Sequence, residues 1–173
     1  MNVTAYKGFK ENLTNKYGTQ FEVGKVYQKD KESLNFGENN GHGFHMATSL
    51  ADTFRYFNPS LNNIYCEVEG SGRIVMVEDA NYQASPMLVS EKMIIKKILT
   101  RKDILEKALS SNESELIKYI NLYPFTKEEL VILKHHLITF SNADKLLDIV
   151  SVWQTGNRNN FRRNKLYLRP PIK

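Results

Sequence analysis

Short runs in which apolar and polar residues alternate fill most of the first hundred positions, a pattern that is typical of half-buried β-strands. Strands are predicted at residues 3–6, 21–27, 44–46, 64–69, 73–78 and 92–99. The β-branched and aromatic runs 64–69 and 73–78 are expected to pair as a hairpin around Gly70-Ser71-Gly72. In the run 21–27, Gly24 predicts a bend or bulge, after which Val26 is also expected to be buried.

One segment in this half, residues 48–57, has the period of an α-helix. Its apolar face consists of Leu50, Phe54 and Phe57. Thr48 or Ser49 can cap this helix, and Asp52 stands at the capping-box position after Ser49. Because the short strand 44–46 comes directly before it, the strand and the helix are expected to form one wall of a pocket.

From Thr100 onward the pattern changes to short amphipathic helices with capping residues between them. Helices are predicted at 101–109, 113–122 and 143–154, and a further one is predicted to begin after Thr126. Thr100 with Asp103 caps the first helix, Thr126 with Glu129 in capping-box position caps the third, and Ser141 or Asn142 caps the fourth. The positions expected to be buried are Leu116, Ile117, Ile120, Leu130, Leu133, Leu137, Ile138, Leu146, Leu147, Val150 and Trp153. Four such helices predict a small helical bundle or a repeat-like stack.

These elements predict an α+β protein. Residues 1–100 form a small, mainly antiparallel β-rich domain with one helix, residues 101–154 form an α-helical subdomain, and residues 155–173 form a basic tail. A length of 173 residues suffices for one domain with a smaller subdomain, and a hydrophobic content of 41% with 11% aromatic residues is that of a globular chain.

The single cysteine, Cys66, excludes an internal disulfide and a multi-cysteine metal site. Its place in an apolar run predicts a small buried side chain more than a nucleophile. No apolar run reaches the length of about 20 residues that a membrane span needs, and the first residues lack a signal-peptide pattern. We therefore expect a cytoplasmic protein, in a bacterial cell or in a cell infected by a phage.

The net charge of +5 is concentrated in the tail, which has six basic residues and no acidic one, whereas the other 18 basic residues nearly balance 19 acidic ones. The tail residues expected to contact nucleic-acid phosphates are Arg158, Arg162, Arg163, Lys165 and Arg169. Phe161 and Tyr167 lie between them and would stack on bases. The alternatives are an acidic protein surface as partner, a solvated extension, or a tail whose two rings dock onto the core.

Four motifs occur in order along the first part of the chain: YKGF at 6–9, EVGKVY at 22–27, GFH at 43–45 and YCEVEGSG at 65–72. Together they resemble an uncharacterised domain of phage and bacterial proteins over about residues 3–105. That resemblance implies a domain and a phage-related or bacterial setting, and it implies no established activity.

The same strands are distantly similar to those of ADP-ribosyltransferases. These enzymes have a basic residue on a Tyr-x-Gly strand, an aromatic residue or serine on a second strand before a helix, and a glutamate on a late strand. The resemblance implies NAD as cofactor and Lys7, His45 and Glu91 as catalytic residues, with the glutamate stabilising positive charge on the ribose. The cofactor-binding positions that it implies are Tyr6, Gly8 and Phe44.

Each of these residues also has a structural interpretation. Lys7 is a solvated lysine at a strand end, His45 a hydrogen-bonded core histidine, and Glu91 a surface carboxylate. No metal site is expected, because His42 and His45 have no third ligand at matching spacing and the neighbouring histidines at 135 and 136 diverge on a helix.

Three functions remain open. Because lysine and histidine replace the residues usual in the enzymes, a non-catalytic binding or accessory protein with an unidentified protein partner and no cofactor is expected first. An enzyme that binds NAD is the second hypothesis, and a protein that contacts nucleic acid through its tail is the third.

Overall fold

Five antiparallel strands and five α-helices make up the part of the chain that the computed structural model describes, which is residues 2–29, 42–77, 86–140 and 143–154. The strands are β1 (Val3–Phe9), β2 (Val26–Gln28), β3 (Phe44–Ala47), β4 (Ile64–Val77) and β5 (Met87–Ile98). The helices are α1 (Leu50–Tyr56), α2 (Arg101–Leu109), α3 (Glu113–Leu122), α4 (Lys127–Leu137) and α5 (Ala143–Gln154). The predicted α+β class is confirmed.

The sheet closes on itself. Its strand order is β2-β5-β3-β1-β4, and β4 also pairs with β5, so that β1, β3, β5 and β4 form a ring. Apolar side chains from these strands pack together as one buried cluster, whose largest members include Phe9, Met46, Val68, Met93 and Ile95. The short strand β2 lies outside the ring and pairs with β5 alone among the described strands.

The predicted hairpin around Gly70-Ser71-Gly72 is wrong. Strand β4 continues through these residues, and its register against β5 shifts between Ser71 and Ile74. Gly72 has a φ of +76°, which residues with a side chain rarely adopt. The glycine sequence therefore forms a bulge, because β5 is long enough to pair with both halves of β4.

The bend at Gly24 is confirmed, with a φ of +81°, but the burial predicted for Val26 is wrong. Phe21 is buried, whereas the side chain of Val26 is 62% exposed. The reason is the alternation of side chains along a strand: Tyr27 packs its ring against Phe21, so the neighbouring Val26 lies on the opposite face.

Helices α2, α3 and α5 have the bounds that the sequence predicts, and α4 begins after Thr126 as predicted. Thr100 with Asp103 and Thr126 with Glu129 form the predicted capping boxes, whereas the cap of α3 by the side chain of Asn112 was not predicted. Of the positions predicted to be buried, those confirmed are Leu116, Ile120, Leu130, Leu133, Leu137 and Val150. Ile138 is 63% exposed, since it follows the last turn of α4. The caps predicted at 141–142 and the side chains of Leu146 and Trp153 lie outside the described residues.

Helix α1 connects the sheet to the four later helices. Leu50 and Phe54 are buried as predicted, Phe57 is half-buried, and all three pack with residues of α2 to α5 in a second apolar cluster. The predicted side-chain cap of α1 is wrong, because the hydroxyl of Ser49 donates a hydrogen bond to Glu115 of α3. No helix in the described ranges combines the length and the apolar content needed to cross a membrane.

Candidate functional site

A cleft opens in the wall of the ring where β1 and β3 separate. These two strands share one register pair, Tyr6 with Ala47, whereas β1 pairs with β4 along all seven of its residues. The cavity beside this gap has a volume of about 1090 Å³. Its walls are β1, the loop of residues 15–21, the end of β2, strand β3 and helix α1. The pocket wall predicted for the strand and helix at 44–57 is thus confirmed.

Lys7 borders the cleft. Its Nζ donates a hydrogen bond to the backbone oxygen of His45 on β3, over a distance of 2.5 Å, and thereby bridges the two separated strands. Burial, together with the nearby ammonium of Lys16, lowers the pKa of Lys7 to about 8. The protein therefore holds a lysine in surroundings that disfavour its charge, unlike a solvated lysine at a strand end.

Three further cations border the same cavity. The Nζ of Lys16 lies 5.9 Å from the ring centroid of Tyr56 and 5.8 Å from that of Phe57. The Nζ of Lys29 lies 5.6 Å from the ring of Phe44, and the guanidinium of Arg55 belongs to α1. Cations that lie over aromatic faces keep their charge while they cover apolar surface.

The described lining residues combine these cations with aromatic rings. Among the described residues that border the cavity there is no aspartate and no glutamate. Its aromatic members are Tyr6, Tyr17, Phe21, Tyr27, Phe44, Tyr56 and Phe57. Tyr17 is 91% exposed, so its ring is available for stacking. Such a surface suits a ligand that carries both negative charge and a flat ring.

The other residues predicted for the cleft are placed as follows. His45 borders the cavity, so Lys7 and His45 lie together. Phe44 is buried and packs its ring against Phe21 at 6.4 Å. The hydroxyl of Tyr6 accepts a hydrogen bond from Lys107 of α2 at 3.0 Å, so this end of the side chain faces the helices.

Glu91 is not brought together with Lys7 and His45. Its side chain is buried against the bulge of β4, where the backbone N–H of Arg73 donates to a carboxylate oxygen at 3.2 Å. A side chain at Gly72 would collide with this carboxylate. Gln28, which does border the cavity, lies 3.5 Å from the other carboxylate oxygen. Glu91 therefore contacts a residue of the cleft wall, Gln28, but does not itself border the cavity.

Metal and thiol chemistry find no support in the described part of the chain. No group of three or more His, Cys, Asp or Glu side chains lies there in a position to hold a metal ion. Cys66 is fully buried, as its sequence context predicts, and burial raises the pKa of its thiol to about 12. A thiol in such surroundings is unreactive.

Gly8 allows α1 to approach β1 closely. A Cβ at this position would come within 2.6 to 2.8 Å of Phe57 atoms, including its Cβ. We expect Gly8→Ala to lower the free energy of unfolding by about 1 to 3 kcal/mol, because Phe57 has to move. Denaturant unfolding of Gly8→Ala and of the wild type measures this effect. Equal stability of the two proteins would contradict the assignment.

Several residues of the cleft were missed in the sequence. Lys16 and Tyr17 lie in a polar turn with no periodic pattern, and no signal marks them. Arg55 and Tyr56 could have been found, because they fall on the polar side of the predicted helix that was assigned to a pocket wall. The tail residues predicted to bind nucleic acid lie outside the described residues.

Comparison with known proteins identifies one family. Residues 3–106 match the model of a domain of unknown function, DUF7666. This match confirms an uncharacterised domain over nearly the range that the four motifs predict. No curated protein and no solved structure matches the chain.

Proposed function

The chain belongs to the DUF7666 family of domains of unknown function, and we propose that the cleft between β1, β3 and α1 binds a nucleotide with a pyrophosphate group. NAD is the ligand of this class that the distant resemblance to ADP-ribosyltransferases implies, and ADP-ribose has the same pyrophosphate. The observation that carries the proposal is the lining, which combines four cations and aromatic rings with no acidic group among the described residues.

The phosphates of such a ligand would lie near Lys7, Lys16 and Arg55. Lysine and arginine form charge-assisted hydrogen bonds with phosphate oxygens, which are about twice as strong as neutral hydrogen bonds. Lys7 is held in position by the backbone oxygen of His45, and an anion would compensate the burial that disfavours its charge. A bound pyrophosphate is therefore favoured by its attraction to the cations, and also because it stabilises the buried ammonium of Lys7.

The rings of the ligand would stack on exposed aromatic surface of the cleft, with Tyr17, which is 91% exposed, as the first candidate. A volume of about 1090 Å³ is slightly above the usual range of small-molecule pockets, about 300 to 1,000 Å³. It accommodates a dinucleotide, which has two rings and two phosphates.

The proposal is binding without transfer of ADP-ribose. Transfer requires a carboxylate that stabilises positive charge on the ribose as the bond to nicotinamide breaks. Glu91, which the resemblance assigns to this role, has its carboxylate at the bulge of β4, behind Gln28. Lys7 and His45 are accordingly proposed as binding residues. A protein partner, and contact of the tail with nucleic acid, stay predictions.

Calorimetry with a set of matched ligands tests this proposal. NAD and ADP-ribose are expected to bind, whereas adenosine, which has the ring and no phosphate, is expected to bind at least about tenfold more weakly. Affinity for ADP-ribose is expected to decrease with added salt, because the attraction between ligand and lysines is screened. Equal binding of adenosine and ADP-ribose, or no heat with NAD at millimolar concentration, would refute the proposal.

Variants locate the ligand within the molecule. Lys16→Met is expected to weaken ADP-ribose binding about fivefold, through loss of one phosphate contact. Lys25→Met is the matched control, since Lys25 is an exposed lysine that pairs with Glu22 and does not border the cavity. Glu91→Gln is expected to leave the affinity for ADP-ribose unchanged. A separate assay measures whether the wild type releases nicotinamide from NAD, and release would contradict binding without transfer.

A further inference from the structure

A buried carboxylate between α1 and α3 is shared by two cations. Asp52 of α1 is 4% exposed. The Nζ of Lys118 on α3 lies 3.0 and 3.3 Å from its two carboxylate oxygens. A guanidinium nitrogen of Arg55 lies 3.8 Å from one of the same oxygens. Lys118 is thus the closer partner of Asp52, and Arg55 makes the longer contact.

The two cations belong to different parts of the molecule. Arg55 borders the cleft, whereas Lys118 lies in the helical part of the chain, beyond the residues 3–106 that match the family model. Lys118 is held from a second side by Glu115, at 3.5 Å, and Glu115 also accepts the hydrogen bond from Ser49 before α1. This network connects α3 to the helix that carries the arginine of the cleft.

We infer that Lys118 is a positioning residue for the cleft: by holding Asp52, it keeps the guanidinium of Arg55 available to the phosphate of the ligand. This inference rests on the proposed function. A buried carboxylate needs a cationic partner. If Lys118 is removed, Arg55 still lies close to Asp52 as a cationic partner among the described residues. Arg55 then turns toward Asp52, and the positive potential of the cleft decreases.

The helical part of the chain therefore contributes to the ligand site although it does not border the cavity. A change that displaces α3 would alter the affinity of the cleft through one ion pair. This contribution requires both the family domain and the helices that follow it, because Lys118 lies outside the matched residues 3–106.

Lys118→Met tests the inference. Its affinity for ADP-ribose is expected to be at least about fivefold lower than that of the wild type, and Lys118→Arg is expected to restore most of the affinity. Lys102→Met is the control. Lys102 is also a lysine of the helical part that pairs with a carboxylate, Glu106 at 3.8 Å, and it neither borders the cavity nor contacts Asp52. It is expected to bind ADP-ribose as the wild type does.

A double variant separates positioning from a general loss of structure. In Lys118→Met combined with Asp52→Asn, no carboxylate is left to attract Arg55, so affinity is expected to recover to within about twofold of the wild type. A variant that merely damages the packing of α3 would not recover when a second residue is changed. Melting temperatures of all variants establish that each is folded under the conditions of the titration.

A second readout does not depend on the nucleotide. Phenylglyoxal reacts with guanidinium groups that are not held by carboxylates, and mass spectrometry of digested protein gives the rate for each arginine. Arg55 is expected to react at least about threefold more slowly in Lys118→Met and at the wild-type rate in the double variant. Arg101, which pairs with Glu129 at 2.5 Å, is the internal reference and is expected to be unchanged.

The outcomes distinguish the two proposals. If the wild type binds no ADP-ribose, the proposed function fails, and the rate at Arg55 still decides whether Lys118 controls this arginine. An unchanged rate at Arg55 in Lys118→Met overturns the inference. It is also overturned if affinity falls equally in Lys118→Met and in the double variant.

Discussion

Lys7→Met is expected to give a protein that is more stable than the wild type and that binds ADP-ribose about thirtyfold more weakly. The loss of affinity follows from the position of Lys7 in the lining of the cleft. A hydrogen bond to a charged group contributes about 1.5 to 3 kcal/mol, which corresponds to a factor between about ten and 150.

The gain in stability has a separate cause. A pKa lowered from 10.5 to about 8 means that the folded state disfavours the ammonium. The hydrogen bond from Nζ to the oxygen of His45 and partial exposure to water offset part of this cost. We expect Lys7→Met to raise the free energy of unfolding by about 1 to 2 kcal/mol at neutral pH, because methionine fills similar space without a charge.

The measurement is a pair of curves on the same samples, thermal unfolding and calorimetric titration with ADP-ribose. Lys10→Met is the control, because Lys10 follows the same strand and is exposed outside the cavity. It is expected to change neither quantity appreciably. A Lys7→Met protein that is less stable and binds normally would show that Lys7 is a structural residue and that the ligand site lies elsewhere.

The helical part of the fold was predictable from sequence because its signals are local. Thr100 with Asp103 and Thr126 with Glu129 satisfy the first backbone N–H groups of their helices within four residues of chain. No distant partner is needed to decide where these helices begin. The exception is Ile138, which the apolar pattern predicts to be buried. It follows the last turn of α4 and is exposed.

The long strand β4 shows where local signals are insufficient. Gly70-Ser71-Gly72 is compatible with a turn and with a bulge, because glycine permits the positive φ that both require. The outcome depends on β5, which pairs with both halves of β4 although it lies ten or more residues further along the chain. Pairing at such a distance is not visible in the composition of either run.

The candidate site was predictable to the extent that its residues lie on regular elements. The distant resemblance to ADP-ribosyltransferases pointed to Lys7 and His45 on their strands, and both border one cavity. The cleft itself results from the separation of β1 and β3 beyond a single register pair, which no periodic pattern encodes. The same resemblance pointed to Glu91 on a late strand, and the bulge at Gly72 determines where its carboxylate lies.

Affinity for ADP-ribose is expected to decrease as the pH rises above about 8. In the free protein, burial and the charge of Lys16 lower the pKa of Lys7 to about 8, so the amine loses its proton above that pH. A bound pyrophosphate attracts the ammonium and raises this pKa, so binding is coupled to the uptake of a proton. The affinity is expected to fall by up to about tenfold per pH unit.

Titrations in two buffers of different ionisation enthalpy at pH 8.5 measure the proton uptake directly. We expect uptake in the wild type and none in Lys7→Arg, because a guanidinium keeps its proton throughout this range. The pyrophosphate of ADP-ribose does not titrate between pH 7 and 10, so the ligand is not the group that takes up the proton. Equal uptake in both proteins would assign the titrating group to a residue other than Lys7.

The same pKa determines how stability depends on pH. Because the folded-state pKa of Lys7 is about 8 and its ordinary value is 10.5, the unfolded chain binds more protons than the folded one between these values. The contribution of Lys7 to stability therefore rises with pH through that window and is constant below it. The difference in melting temperature between Lys7→Met and the wild type is accordingly expected to be largest below pH 8 and to close toward pH 10.5. Other titrating groups are common to both proteins and cancel in this difference, so a gap that stays constant from pH 7 to pH 10 would contradict the lowered pKa of Lys7.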